Sequence, residues 1–208
     1  MEIFSLLAKG GLLIYPILAA SLLGSVIVIE RFIALRRERI NPNGLKKRIE
    51  GLVKKGKKEE ALKVLRGYET PLSALLTVAV ENLHLDRRSL VELLEEKGRT
   101  EVHYMGRGIE FVGVLAAVAP LLGLLGTVTG MISVFQDVTR QATVRGVNPA
   151  NLASGIWEAL ITTAAGLAVA IPLYILYRYL ASRVDTLVVE LEEEVLTAVK
   201  TMQSSGPE

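Results

Sequence analysis

The chain has 208 residues, a formal net charge of +2, 50% hydrophobic and 22% charged residues, and a mean hydropathy of +0.40. This hydropathy is high for a soluble domain, so we expect a membrane part beside a water-exposed part that carries the charges. The sequence has no cysteine, which excludes disulfides, thiolate metal sites and cysteine nucleophiles. Its two histidines, His84 and His103, lack a carboxylate-rich metal spacing, so we expect surface or packing roles for them and no metal site.

Three apolar segments reach the roughly 20 residues that a helix needs to cross a bilayer. They predict transmembrane helix 1 over residues 10–30, helix 2 over 111–136 and helix 3 over 153–177. The first segment ends in Glu30 and a cluster of arginines, which is a stop-transfer pattern. A membrane anchor is therefore favoured over a cleaved signal peptide.

Lysine and arginine predict the orientation of these spans. Residues 31–110 carry 18 of the 24 Lys and Arg residues, whereas the 137–152 loop carries two. Cytoplasmic segments are the ones enriched in these residues. The rule places residues 31–110 and 178–208 in the cytoplasm, and the 1–9 N-terminus and the 137–152 loop outside. The predicted fold is an all-α membrane protein with three transmembrane helices, N-out and C-in, whose long helices extend into a cytoplasmic helical domain.

Apolar residues at helical spacing predict that the cytoplasmic segment is helical throughout. Ser89 and Glu92 have the spacing of a capping box, which predicts a helix start at Ser89. We expect this helix to run on through Val102 into the second span. We expect the third span to leave the membrane as one long helix whose apolar stripe is buried against the 71–110 helices or against a neighbouring copy. The stripe consists of Leu180, Val184, Leu187, Leu191, Val195, Ala198 and Met202.

The second span has no charged side chain between Phe111 and Gln136, and its small residues fall on one helical face. Steps of 3 and 4 residues define this stripe, which comprises Gly113, Ala116, Pro120, Gly123, Thr127, Gly130 and Val134. The third span has a similar stripe, made of Gly155, Ala159, Thr163, Gly166 and Ala170. Lipid-facing surface does not need small residues, so the stripes indicate either close helix packing or a narrow passage.

Thr127 and Thr163 are predicted to lie level with each other, roughly 13–16 Å inside the membrane at about 1.5 Å per residue. If they face one lumen, they are candidates for a proton path, together with Thr162 and Glu158. The alternative is that each hydroxyl bonds a backbone carbonyl of its own helix and only packs. Glu158 lies one to two turns inside the third span, where a carboxylate is costly unless it is partnered, hydrated or protonated. It either joins the path or reaches the outer surface or the arginines of the 137–152 loop.

The apolar parts of the second and third spans contain no Asp or Glu other than Glu158. A hydroxyl can pass a proton along but does not store one, because it does not titrate near neutral pH. If the protein conducts protons, the titrating carboxylate at mid-membrane must therefore come from another chain. The sequence has no nucleophile–base–acid set, so we expect neither an enzyme nor a cofactor. The basic segment 54–58 lacks interleaved aromatic residues, which favours a solvated face or contact with anionic lipid over nucleic acid.

Two sequence blocks resemble the ExbB/TolQ/MotA family of inner-membrane proton-channel stators. The first block is Ala119-Pro120-Leu121-Leu122-Gly123-Leu124-Leu125-Gly126-Thr127-Val128. The second is Gly155-Ile156-Trp157-Glu158-Ala159-Leu160-Ile161-Thr162-Thr163-Ala164-Ala165-Gly166-Leu167, continuing to Ala170-Ile171-Pro172. The long insertion between the first two spans and the extended last helix are also similar to the family. Three spans rather than four favour its ExbB and TolQ branch.

This resemblance implies a homopentamer in the bacterial inner membrane whose second and third spans line a central pore. The pore would enclose a dimer of a single-span ExbD- or TolR-like partner, whose aspartate takes up the proton beside residues that match Thr127 and Thr163. The resemblance also implies a functionally important glutamate at Glu158 and transfer of work through a TonB- or TolA-like protein. The competing hypothesis is a non-conducting membrane scaffold or assembly protein, in which the small-residue stripes only pack helices.

Overall fold

A computed structural model of the protein describes residues 11–142 and 149–204, and these residues form helices and turns with no strand among them. The all-α prediction is therefore confirmed. The predicted external N-terminus, residues 1–9, and most of the loop between the second and third spans lie outside the described residues. The helices are α1 Ile14–Ala34, α2 Arg37–Ile40, α3 Leu45–Lys54, α4 Lys58–Leu65, α5 Pro71–Glu81, α6 Arg87–Gly106, α7 Ile109–Ala142 and α8 Pro149–Gln203.

Three helices are long and apolar enough to cross a membrane, which confirms the number of predicted spans. The apolar segments that could span lie within Ile14–Ala34, Ile109–Thr139 and Leu152–Gln203. These helices leave many large apolar side chains exposed, a pattern that suits a lipid environment and that a water-soluble surface avoids. Examples are Leu22, Val26, Leu121, Leu124, Ile171 and Ile175.

The described chain divides into two compact units. The first, here called the span unit, comprises residues 11–30, 108–142 and 149–179. The second, here called the helical unit, comprises residues 31–107 and 180–204. The charged residues concentrate in the helical unit, as the sequence pattern predicts.

The helical unit has a core of aliphatic side chains on successive short helices. Helices α3 to α6 pack against their neighbours in the chain, and their fully buried residues include Ile49, Leu72, Leu76 and Leu90. Helix α5 begins sharply because Pro71 follows Thr70, whose hydroxyl accepts a hydrogen bond from the Ser73 N–H at 3.2 Å. Proline suits the first turn of a helix, where its missing N–H leaves no carbonyl without a donor.

The C-terminal part of α8 belongs to this core. Every residue of the predicted apolar stripe is buried, from Leu180 to Met202, which confirms both the long helix and the burial of its stripe. Two ion pairs flank the stripe: Arg37 Nε lies 3.2 Å from a Glu190 carboxylate oxygen, and Lys46 Nζ lies 2.9 Å from one of Glu194.

The predicted capping box at Ser89 is wrong, because the N-cap of α6 lies three residues earlier. Asp86 is the N-cap, and its carboxylate accepts hydrogen bonds from the N–H groups of Arg88 at 3.1 Å and Ser89 at 3.2 Å. Ser89 instead donates its hydroxyl hydrogen to Asp86 at 2.7 Å. Aspartate is at least as good an N-cap as serine, and its extended backbone directs the carboxylate towards the free N–H groups of the first turn.

The predicted continuous helix from the 89–106 region into the second span is also wrong. Helix α6 ends at Gly106, and α7 begins at Ile109. Between them Arg107 is extended and Gly108 has a φ of +80°, a left-handed conformation that glycine adopts at little cost. The extended Arg107 and the left-handed Gly108 interrupt the helical hydrogen bonds between α6 and α7.

Replacing Asp86 with Ala should lower the thermal stability of the full-length protein in detergent, because it removes the cap of α6. The hydrogen bond from the Ser89 hydroxyl, followed by that from the Ser89 N–H, lowers the pKa of Asp86 below its ordinary value of 3.8. The cap therefore stabilises the fold fully above pH 3.8 and loses its effect as the pH falls through the lowered folded-state pKa. Circular dichroism melts should show a difference between variant and wild type at neutral pH that shrinks below pH 3.8. Asp185→Ala, at an exposed position inside α8, is the control and should show no such pH-dependent difference.

Candidate functional site

The small-residue stripes of α7 and α8 face each other within one chain. A Cβ atom built on Gly166 would lie 2.6 Å from the Ala119 carbonyl oxygen and 3.1 Å from the Gly123 Cα. A Cβ on Gly123 would lie 3.0 Å from the Thr163 Cα. Such distances are reached only where two helix backbones are almost in contact, so these glycines let the helices approach closely.

The contact continues along both helices. Towards one end, a Cβ on Gly130 would lie 3.0 Å from the Ala159 Cβ, and Gly155 faces the Val134 side chain. Towards the other end, a Cβ on Gly113 would lie 3.0 Å from the Tyr177 ring. The remaining stripe residues are buried or half-buried on the same helices; they are Ala116, Pro120 and Ala170. The stripes therefore form a long antiparallel helix interface inside the span unit.

Thr163 connects the two helices by a hydrogen bond. Its hydroxyl donates to the Gly123 carbonyl oxygen at 2.9 Å, and the side chain is half-buried. Because Gly123 has no side chain, nothing stands between its carbonyl and the hydroxyl of the facing helix. The bond places the Thr163 hydroxyl one helical turn from Thr127 on α7.

Thr127 and Thr162 each hydrogen-bond within their own helix. The Thr127 hydroxyl donates to the Leu124 carbonyl at 2.7 Å, and that of Thr162 donates to the Glu158 backbone carbonyl at 3.0 Å. Thr162 is 2% exposed and packs against Gly126, whose added Cβ would lie 2.8 Å from the Thr162 Cβ. Of the predicted hydroxyls, Thr163 therefore reaches the facing helix, Thr127 is half-buried beside it, and Thr162 lies deep in the α7–α8 interface.

Glu158 lines a cavity of about 390 Å³ in the span unit. One of its carboxylate oxygens lies so close to Gly11 that an added Cβ there would be 2.6 Å away. Within residues 11–142 and 149–204, no hydrogen bond or ion pair holds the Glu158 carboxylate. The expected alternative, pairing with an arginine of the 137–152 loop, lies outside the side chains that the structure describes.

Two hydroxyls on α7 that the sequence reasoning passed over line the same cavity. Thr129 and Ser133 stand there with Gly126 and Gly130, opposite Glu158 and Thr162. A signal for them was present, since positions 126, 129 and 133 follow each other at steps of 3 and 4 on a second helical face. This polar stripe lies beside the small-residue stripe through Thr127 and shares no residue with it.

In the part of the chain that the structure describes, no three His, Cys, Asp or Glu side chains come together as metal ligands. His103 packs edge-on against Tyr104, with ring centroids 6.3 Å apart. The chemistry available in the spans is therefore that of hydroxyls, backbone carbonyls and one carboxylate.

The sequence of this chain is similar to those of several known proteins. Residues 67–193 match the sequence model of the MotA/TolQ/ExbB proton channel family. A putative biopolymer transport protein ExbB homolog from Methanothermobacter thermautotrophicus is 32% identical over 193 residues, covering 91% of this chain and 67% of the relative. The biopolymer transport protein ExbB of Salmonella typhimurium is 37% identical over 93 residues, covering 45% of this chain and 37% of the relative. The Tol-Pal system protein TolQ of Haemophilus influenzae is 38% identical over 89 residues, covering 42% and 37%.

Gly166→Ala should destabilise the span unit by about 1–3 kcal/mol, because its Cβ would meet backbone atoms of α7 that cannot move aside. The control substitution Gly98→Ala lies in the interior of α6 in the helical unit, where an added Cβ meets nothing within 4 Å, and it should not lower the stability of the span unit. Trp157, the sole tryptophan, lies on α8 in the span unit and provides the fluorescence signal for its denaturation in detergent. Equal stability of the Gly166 variant and wild type would contradict the close backbone contact.

Proposed function

Because this chain belongs to the MotA/TolQ/ExbB proton channel family, we propose that it is a stator subunit that couples proton flow down the proton motive force to mechanical work on the cell envelope. Its relatives named ExbB and TolQ place it in that branch of the family. Biopolymer transport is the process that several of their names give. The process that we propose this work to drive is TonB- or Tol-dependent transport. The transported ion is the proton. The proposal includes no enzymatic activity and no cofactor.

The observation that carries the proposal is the pair of hydroxyls at Thr127 and Thr163 on closely packed helices. The Thr163 hydroxyl bonds the Gly123 carbonyl, and Thr127 lies one turn further along α7. At about 1.5 Å per residue, the two hydroxyls therefore lie within about 6 Å of the same depth in the span unit. Two hydroxyls at one depth can hand a proton between a donor and an acceptor that they both face.

A second chain completes the proposed path. The described spans offer no carboxylate at the depth of Thr127 and Thr163, and hydroxyls do not store a proton near neutral pH. The proposal assigns that carboxylate to a single-span ExbD- or TolR-like partner, present as a dimer inside a homopentamer of this chain. A TonB- or TolA-like protein would then carry the work onward.

The charge distribution supports an orientation for this assembly. The end of α1 at Ala34 leads into an arginine-rich segment, whereas the helix ends near Thr139 and Leu152 carry few cations. The positive-inside rule then favours a multi-pass protein of the bacterial inner membrane with the helical unit in the cytoplasm, N-out and C-in. Protons driven by the membrane potential would enter at the end of the span unit that holds Glu158.

A non-conducting scaffold is the second candidate function, and one observation favours it. The small-residue stripes pack α7 against α8 within a single chain, which is what a purely structural helix pair requires. The two functions differ in what the hydroxyls do, because a scaffold needs their size whereas a proton path needs their oxygen.

Thr127→Val and Thr163→Val keep the shape of the side chain and remove the oxygen. In proteoliposomes that contain this chain and the ExbD- or TolR-like chain of the same genome, each should lower proton uptake about tenfold or more, equivalent to about 1.4 kcal/mol on a barrier. Proton uptake is followed with an internal pH-sensitive dye under an imposed potential. Thr186→Val, on the cytoplasmic part of α8, is the control, because its hydroxyl bonds the Ser182 carbonyl away from the spans.

A loss of proton uptake in these variants indicates a loss of conduction only if the variants still assemble. Size-exclusion profiles in mild detergent should match wild type, since valine preserves packing at both positions. Wild-type proton uptake in both valine variants would support the scaffold. Glu158→Gln, which keeps the shape and removes the charge, should reduce uptake as well if this carboxylate takes part.

The native mass of the purified protein is a separate prediction. Alone in mild detergent, the chain should form a ring of five copies, and co-expression with the single-span partner should add two partner chains per ring. Native mass spectrometry resolves both stoichiometries. A monomer or dimer that takes up no partner chain would contradict the stator and leave α7 and α8 as ordinary packing surfaces.

A further inference from the structure

We propose that Thr129 and Ser133 on α7, together with Glu158 on α8, line a water-filled vestibule that opens at the outer end of the span unit and keeps the Glu158 carboxylate hydrated. The vestibule is the 390 Å³ cavity described above. The vestibule itself is formed by residues of this chain alone. Its role as the entrance for protons rests on the proposed function.

The polar atoms of the cavity are arranged to accept hydrogen bonds from water. The Thr129 hydroxyl donates its hydrogen to the carbonyls of Leu125 at 2.9 Å and Gly126 at 3.2 Å, and that of Ser133 donates to the Thr129 carbonyl at 3.1 Å. With their hydrogens directed to the backbone, both oxygens keep lone pairs that can accept from a water molecule. The Glu158 carboxylate adds two further acceptor oxygens.

The size of the cavity suits water. At about 30 Å³ per molecule, 390 Å³ has room for several waters, and a buried water needs two to four polar partners. Polar partners matter, because an enclosed apolar cavity of about 150 Å³ stays dry. Here one wall carries two hydroxyls and the opposite wall a carboxylate and Thr162, so both requirements are met.

Glu158 supplies the reason that water is needed. It stands in an apolar span, and the structure gives its carboxylate no ion pair or hydrogen bond among the described residues. An ionised carboxylate in that position requires a charged partner, protonation or hydration. The cavity beside it offers hydration, and Gly11 lets the chain before α1 pass close to the carboxylate because a Cβ there would collide with it.

The position of the cavity indicates the end of the span unit at which it opens. Gly11 precedes the start of α1, Ser133 lies near the end of the α7 span, and Glu158 lies near the start of α8. These three helix ends are at the same end of the span unit. Water entering there reaches Thr162 at the inner wall, one residue from Thr163 and its bond to Gly123.

Cysteine accessibility tests the vestibule, because the chain has no cysteine of its own. Ser133→Cys and Thr129→Cys are compared with Ile132→Cys and Val128→Cys, which lie one residue away at almost the same depth and do not line the cavity. The full chain, co-expressed with its partner, is studied in right-side-out and inverted membrane vesicles. The probe is a membrane-impermeant cationic methanethiosulfonate, which reacts only with a hydrated thiolate.

The cavity variants should react about tenfold or more faster than their neighbours, since an apolar surrounding raises a thiol pKa and lowers its thiolate fraction tenfold per unit. The reaction should occur in right-side-out vesicles. Equal rates at Ser133→Cys and Ile132→Cys, or reaction only in inverted vesicles, would overturn the proposal. Cysteine is close in size to serine and threonine, and unchanged size-exclusion profiles establish that the variants assemble.

This outcome is independent of whether the protein conducts protons. If labelling follows the expected pattern while proton uptake is absent, the vestibule is supported and the stator function is contradicted. If proton uptake is present while Ser133→Cys reacts no faster than Ile132→Cys, the stator function is supported and protons enter by another route.

Discussion

The near-contact of the α7 and α8 backbones is the constraint on which the span unit depends. It exists because Gly123 and Gly166 carry no Cβ, so the Ala119 carbonyl and the facing helix can occupy that space. The same closeness brings the Thr163 hydroxyl to the Gly123 carbonyl. In an apolar medium the hydrophobic effect does not drive helices together, so contact area and interhelical hydrogen bonds must do so.

This contact also decides which polar groups meet. Antiparallel packing in this register sets Thr162 against Gly126 and Ala159 against Gly130. The polar face of α7 that carries Thr129 and Ser133 is thereby placed beside Glu158. A shift by one helical turn would separate them, so the glycines determine the composition of the cavity although they contribute no polar side chain to it.

Much of the fold could be predicted from the sequence, because long apolar runs and helical spacing are local signals. The three apolar helices and the buried stripe from Leu180 to Met202 are of this kind. The start of α6 was missed because Asp86 and Ser89 both suit an N-cap, and the choice depends on the path of the chain before the helix. The break at Gly108 was missed because glycine alone does not say whether a helix ends or continues.

For the candidate site, spacing predicted the faces of α7 and α8 but not their register. Which carbonyl accepts from Thr163, and which residues surround Glu158, depend on how far one helix slides along the other. Residues far apart in sequence, such as Gly123 and Thr163, meet only through that register. Sequence spacing within one helix contains no information on it.

The prolines of α7 and α8 have a consequence for how this helix pair can move. Pro120 and Pro172 lie inside their helices, and neither supplies an N–H, so the carbonyls of Ala116 and Ala168 each lose their usual donor four residues on. Both prolines lie on the same side of the contact that joins Gly123 to Thr163, but Pro120 is three residues from Gly123 whereas Pro172 is nine residues from Thr163. At about 1.5 Å per residue, the two weak points are therefore staggered by roughly 9 Å along the pair. Each helix is easiest to bend at its own proline, so a bend in one helix is braced by an unbroken stretch of the other.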